Sequence, residues 1–185
     1  MAPVRLADDF RRSARELKRV RSLAVLGMLT SLQVILGMLT IQIGSSVQIT
    51  FDYLPLCAVS MLFGPVPAML TGALSDLLAF LIRPTGAFNP GFTISAAVSG
   101  LLYSLFLYDQ EPLKLWQLIL ARLIVVVVCN AVLNTAWLLL MYGAGAWAWI
   151  PGRLIKNAVE YPVSVALLWA LHRLLIRIRK NIFTH

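Results

Sequence analysis

The chain has 185 residues, 59% of them hydrophobic and 13% charged, with a net charge of +8. Soluble domains carry about 25% charged residues, so this composition, with a mean hydropathy of +0.81, excludes an ordinary water-soluble enzyme and describes a polytopic membrane protein. The positive charge is not spread as a nucleic-acid-binding face: Arg5, Arg11, Arg12, Arg15, Lys18, Arg19 and Arg21 crowd one terminus, and Arg173, Arg177, Arg179 and Lys180 the other.

Residues 1–22 read as a basic segment, within which 5–21 suits an amphipathic interfacial helix. No A-x-A-like cleavage site follows the first apolar run, so no removable signal is expected. Residues 23–180 then form one all-α membrane domain, a six-helix bundle. Span one covers 23–43, close to the ~20 residues a crossing needs, and carries Ala24, Gly27 and Ser31 as a small-residue face. Residues 47–53 alternate apolar and polar, as an extended loop does. Span two, 54–63, is short, and Gly64-Pro65-Val66-Pro67 forms a turn.

Spans three (68–82) and four (92–107) flank the most informative stretch of the chain. It reads Arg83-Pro84-Thr85-Gly86-Ala87-Phe88-Asn89-Pro90-Gly91-Phe92-Thr93. Irregular backbone at membrane depth is tolerated only when covered by protein or lining a watery cavity, and interrupted hydrophobic segments point to transporter binding sites. Span five covers 115–142, a loop with Trp147 and Trp149 follows, and span six covers 153–178. Basic clusters beside apolar spans mark the cytoplasmic side and attract anionic headgroups, so both termini are expected inside. Arg83, Arg153 and Lys156 fall near the outer face, against the rule, and call for a reason.

Ionisable groups inside spans are expensive and face cavities or partners. Here they are Asp76, Arg122, Arg153, Lys156 and Glu160. Arg153, Lys156, Asn157 and Glu160 share one face of span six, and Asn130 and Asn134, four apart, share one face of span five. Structural alternatives exist for each: a Lys156–Glu160 pair with Arg153 reaching the outer headgroups, a helix–helix hydrogen bond or a pair with Arg122 for Asp76, and interhelical hydrogen bonds from the asparagines. The Ala24, Gly27 and Ser31 face could pack within the bundle or dock a partner protein. Phe88 and Phe92, flanking Pro90-Gly91, could cover a flat ligand. Cys57 and Cys129 lie in apolar runs and read as buried thiols. No Walker loop, HExxH, or Ser/His/Asp set appears, so an intramembrane enzyme lacks a nucleophile or metal set, and no cofactor is expected.

The stretch FGPVPAMLTGALSDLLAF–RPTGAFNPGFTISAAVSGLLYSL resembles the folate-type substrate-binding (S) component of energy-coupling factor vitamin transporters. The length, the six spans and Asn134-Thr135 fit as well, and the likeness covers about 20–180. Span one departs from that family's A-x-x-x-A pattern, because Ala24 is followed by Met28 while Gly27 and Ser31 supply the small face. The resemblance implies a vitamin-capture subunit of a prokaryotic plasma membrane without its own ATPase. It would work with a transmembrane coupling protein and two ATPase subunits, and dock through Ala24, Gly27 and Ser31. It also implies a pocket built from Phe88, Asn89, Phe92, Thr93, Asn130, Asn134, Arg153, Lys156, Asn157 and Glu160, with Asp76 in either a binding or a structural role. Folate suits such a pocket: its flat pterin needs ring contact and edge hydrogen bonds, and its glutamate tail needs cations. Another vitamin or nucleobase-like ligand, such as pantothenate or a queuosine precursor, is the alternative.

Overall fold

The computed structural model describes residues 3–39, 41–43, 47–84, 88–109, 114–143 and 150–183. In chain order the elements are α1 (Pro3–Glu16), α2 (Val20–Met38), a hairpin of β1 (Ile41–Ile43) and β2 (Val47–Ile49), α3 (Tyr53–Phe63), α4 (Pro65–Ile82) and α5 (Pro90–Leu107). They continue as α6 (Leu115–Val125), a π-helical stretch (Val126–Leu133), α7 (Asn134–Tyr142) and α8 (Ile150–Phe183). Five helical segments are long and apolar enough to cross a membrane: Val20–Met38, Pro65–Ile82, Pro90–Leu107, Leu115–Met141 and Lys156–Arg177. The shorter apolar α3 is the sixth member of the bundle.

Two boundaries differ from expectation. Span one stops at Met38, and residues 41–43, expected to be helical, pair antiparallel with 47–49 in the register Ile41↔Ile49, Gln42↔Gln48, Ile43↔Val47. The alternating, β-branched composition of 47–51 reaches back across the intervening loop and takes those residues from the helix. The 64–67 turn shrinks to Gly64 alone, since Pro65 already sits in the first turn of α4, where its missing N–H costs nothing.

Gly64 holds φ at +83°, a left-handed conformation that favours glycine. Having no side chain, it cannot cap α4, and the cap comes from elsewhere: Ser13 Oγ accepts the Val66 N–H at 2.8 Å. Ser13 is fully buried. The amphipathic N-terminal helix is thus fastened to the bundle. The Tyr108 ring closes over the same point, where a Cβ on Gly64 would lie 2.9 Å from it. Helix α5 has a local cap: Asn89 Oδ1 accepts the Gly91 N–H at 2.8 Å, with Pro90 in the first turn.

In lipid the hydrophobic effect does not drive helices together, so close packing of small residues must. The α4–α5 pair is built this way. A Cβ on Gly72 would collide with the Ala96 carbonyl, and one on Gly100 with the Ala68 carbonyl. Ala68 and Gly72 are four apart on one helix, Ala96 and Gly100 four apart on the other, and the antiparallel pair interlocks. Ser60 Oγ, which donates to Leu56 O at 2.8 Å, also lies 3.4 Å from Gly100 O, tying α3 to the same seam. Beside it a buried cluster that includes Cys57, Tyr103, Leu107, Leu118 and Leu168 joins α3, α5, α6 and α8.

Overpacking a tight interface costs about 1–3 kcal/mol. Gly100→Leu is therefore expected to destabilise the detergent-purified protein by about 2 kcal/mol and lower its Tm. Gly27→Leu should be neutral, since nothing lies within 4 Å of a Cβ there. Thermal unfolding of the two variants side by side makes the comparison.

Candidate functional site

A cavity of about 350 Å³ opens among α2, α3, α4, α5, α6, the π stretch, α7 and α8, at the end of the bundle away from Ser13 and Gly64. Its size falls within the range of small-molecule pockets. Its base is an ionic knot. Arg122, 5% exposed, donates Nη2 to Glu160 Oε1 at 3.1 Å, Nη1 to the Tyr103 hydroxyl at 2.9 Å, and Nε to Ser164 Oγ at 3.0 Å. Its guanidinium also lies 4.2 Å from the centre of the Tyr53 ring. Every nitrogen of the fork has a partner, so this charge is held rather than offered.

The π stretch shapes the opposite wall. Asn134 donates its N–H to Cys129 O, five residues back. Such wide turns are rare and collect at functional sites. Asn130 and Asn134 both line the cavity, as the shared face anticipated, although span five is not the regular helix that was expected. Just beyond, the Trp137 indole lies on Gly91, where a Cβ would run into the ring, and donates Nε1–H to Ser95 Oγ at 3.1 Å. That contact sets the entrance of α5 against α7.

The expected site residues divide. Asp76, Phe92, Asn130, Asn134, Lys156, Asn157 and Glu160 come together around the cavity. Asn89 serves as the α5 cap, and Thr93 Oγ1 donates to Asp76 Oδ2 at 2.7 Å, so these two support the wall from behind. Phe88 does not line the cavity. It is 47% exposed and packs on Phe80 at 5.1 Å, because the bend at Pro90 turns it back toward α4. Arg153 lies on α8, but its side chain, like Trp147 and Trp149, falls outside the described residues. Of the structural alternatives, Asp76 makes the helix–helix hydrogen bond, with Thr93, and not the pair with Arg122, which pairs with Glu160; a Lys156–Glu160 pair does not form among the described residues. Lys156 makes no ion pair among the described residues.

Sequence reasoning missed part of the lining: Gln33 on α2, Thr50 and Asp52 after β2, Tyr53 at the start of α3, and Ser99 and Tyr103 on α5. Gln33 carried a signal, a lone amide within an apolar span. Asp52 and Tyr53 did not, since an exposed loop would hold them equally well. With Asp52 counted, carboxylates outnumber cations around the cavity among the described residues: Asp52, Asp76 and Glu160 against Arg122 and Lys156.

On α2, Gly27 and Ser31 are exposed, with Ser31 Oγ donating to Gly27 O at 2.9 Å, while Leu26, Thr30, Gln33 and Val34 are buried. Ala24 is exposed too. The small-residue face therefore does not pack within the bundle.

A helical membrane bundle with a polar, aromatic-edged cavity opening at one end defines a membrane protein with room for a small molecule. Residues 21–171 match the family described as the ECF transporter substrate-specific component; the chain belongs to that energy-coupling factor family. Among its relatives, the folate transporter FolT of Leuconostoc mesenteroides subsp. mesenteroides is 32% identical over 172 residues, covering 89% of this chain and 92% of that protein. FolT of Clostridium novyi is 33% identical over 132 residues, covering 71% and 76%. The crystal structure of FolT bound with folic acid matches with a TM-score of 0.74 at 32% identity, over 83% of this chain and 93% of that one. The S component of a bacterial ECF transporter shares the fold with a TM-score of 0.60 at 20% identity, over 85% and 96%.

Removing one partner of a buried ion pair leaves the other uncompensated, at about 3–5 kcal/mol. Arg122→Ala is expected to destabilise the protein on that scale, and Arg122→Met combined with Glu160→Leu to recover most of the loss. Unfolding of the single and double variants in detergent measures both.

Proposed function

We propose that this protein is the folate-binding component of an ECF-type importer of a prokaryotic plasma membrane, capturing the vitamin outside and delivering it inward once docked to its energising module. Both termini are cytoplasmic in this reading, which puts the cavity on the outer side. The observation that carries the assignment is the cavity itself. Aromatic rings (Tyr53, Phe92, Tyr103), side-chain amides (among them Asn130 and Asn134) and the Asp76 carboxylate line a space that also holds Lys156, which makes no ion pair among the described residues. A pterin needs a π contact and edge hydrogen bonds, and a glutamate tail needs positive charge. Arg153, one turn above Lys156 on α8, is the second cation proposed for the tail carboxylates. The basic residues on the outer side then have their reason. Relatives named as folate transporters over most of the chain support the same ligand.

The proposed partners are a transmembrane coupling protein and two ATPase subunits. The exposed Ala24, Gly27 and Ser31 face of α2 is the proposed docking surface, because small residues let a foreign helix approach closely.

Titration of folate into the detergent-purified protein tests the assignment; an affinity no better than roughly millimolar, about −4 kcal/mol, would sink it. Lys156→Ala and Arg153→Ala are each expected to weaken folate by about 1.5–3 kcal/mol, the scale of a hydrogen bond to a charged group. Gly27→Leu should leave folate affinity intact and reduce folate uptake by cells carrying the complete transporter. Loss of binding in that variant would instead mean that the face serves the bundle.

A further inference from the structure

At the end of the bundle away from the cavity, α1 is held on one side and open on the other. Phe10, Ser13, Glu16 and Leu17 turn toward the protein: Ser13 is fully buried where it caps α4, and Leu17 packs on Leu26, Val59 and Ala68. Glu16 fastens the corner into α2, accepting from Arg19 Nη1 at 3.0 Å and from Ser22 Oγ at 2.6 Å. The winding itself continues past α1, with Lys18 N–H donating to Arg15 O and Arg19 N–H to Glu16 O, each at 3.1 Å. A free interfacial helix lays its apolar face on lipid. Here the bundle has taken that face.

What remains outward is charge. Arg11, Arg12, Arg15, Lys18, Arg19 and Arg21 are all exposed, with Asp8 as the exposed carboxylate of the same stretch among the described residues. Arg11, Arg15 and Lys18 follow at i, i+4 and i+7, so they form one stripe. Of the six cations, Arg19 alone has an ion pair among the described residues. The stripe ends at hydrocarbon: the apolar span of α2 begins at Val20, which is 83% exposed, and Leu23 is exposed as well. In a chain that crosses a membrane, exposed apolar side chains of this kind lie against lipid. Cations and lipid-facing side chains thus alternate over a few residues, which is the complement of a molecule with an anionic head and apolar chains. A protein partner fits less well. Protein interfaces centre on aromatic and apolar anchors and are depleted of charge at their core, and the exposed described residues of α1 are alanines and charged groups.

We propose that the corner between α1 and α2 is a binding site for an anionic phospholipid. Arg15, Lys18 and Arg21 take its phosphate, its acyl chains run along Val20 and Leu23, and Arg11 and Arg12 extend the positive field along α1. Each Lys or Arg close to a negative lipid surface adds to the attraction. Because Ser13 fixes this corner to α4 and Glu16 fixes it to α2, a lipid held there stabilises the bundle and not a loose tail. The site lies at the opposite end from the cavity and does not depend on which vitamin the cavity takes.

The test adds dioleoyl phosphatidylglycerol or dioleoyl phosphatidylcholine to the full detergent-purified chain and reads retained lipid by native mass spectrometry, with Tm alongside. The wild type is expected to retain phosphatidylglycerol over phosphatidylcholine by about tenfold or more, and to rise in Tm with phosphatidylglycerol alone. At about 1 M salt, where charges reach only ~3 Å, both effects should vanish. In Arg15→Gln combined with Lys18→Gln the preference should fall to within about twofold, while Tm in phosphatidylcholine stays unchanged. Arg173→Gln combined with Arg177→Gln removes two exposed cations from the far end of α8 and should keep the preference. An equal loss in both double variants would reduce the effect to the general attraction of basic ends for negative surfaces and overturn the site. A wild type without the preference would overturn it too, as would an equal rise in Tm from heparin, a polyanion without acyl chains. Should the first double variant fail to fold, Arg15→Gln alone carries the same comparison, with a loss of about threefold or more expected.

Discussion

The bundle depends on one buried charge. Arg122 joins four segments at once: its own helix α6, α5 through Tyr103, α8 through Glu160 and Ser164, and α3 through the Tyr53 ring. An isolated guanidinium in this setting would be expensive to bury. With a carboxylate, two hydroxyls and an aromatic face around it, the same group becomes a junction with fixed geometry. It also separates the molecule into two functional halves. Below it lie apolar packing and the Gly64 corner; above it lies the cavity.

The seam between α4 and α5 performs a different task. Interlocked glycines and alanines bring the two backbones into contact and fix the relative height of the helices on either side of the Pro90 bend. That height places Asp76 of α4 beside Thr93 of α5 and aligns both with the cavity wall. Helix α2 is divided by face: Gln33 turns inward to the cavity, while Gly27 and Ser31 are exposed, with nothing within 4 Å of a Cβ at Gly27 among the described residues. One element therefore carries a cavity-lining amide and, on its other side, an exposed run of small residues.

Much of this was legible in the sequence. Span limits followed from apolar run lengths, and five of the six came within a few residues, because hydropathy in a membrane chain is a nearly direct readout of location. Lys156, Asn157 and Glu160 on α8 and the two asparagines stood out for the same reason: they are expensive where they stand, and they line the cavity. The rest was illegible for equally physical causes. Which carboxylate Arg122 would choose depends on helix rotation and height, and Glu160 and Asp76 were both within the grammar of the sequence. Phe88 and Phe92 look equivalent in a line of text, yet the Pro90 bend sends one toward the cavity and the other toward Phe80. The Ser13 cap on α4 spans 53 positions and leaves no local trace.

The π stretch has a consequence for how such a protein can diverge. With bonds closing five residues back, this stretch holds more residues per turn than the 3.6 of an ordinary helix. Excising a single residue there is absorbed by a return to ordinary winding, so the change in length stays within the stretch and Asn134 and Trp137 keep close to their places. The side chains of the stretch itself are what move round the wall. Such a wall can be redrawn by a change of length in one turn while the helix beyond it stays in register.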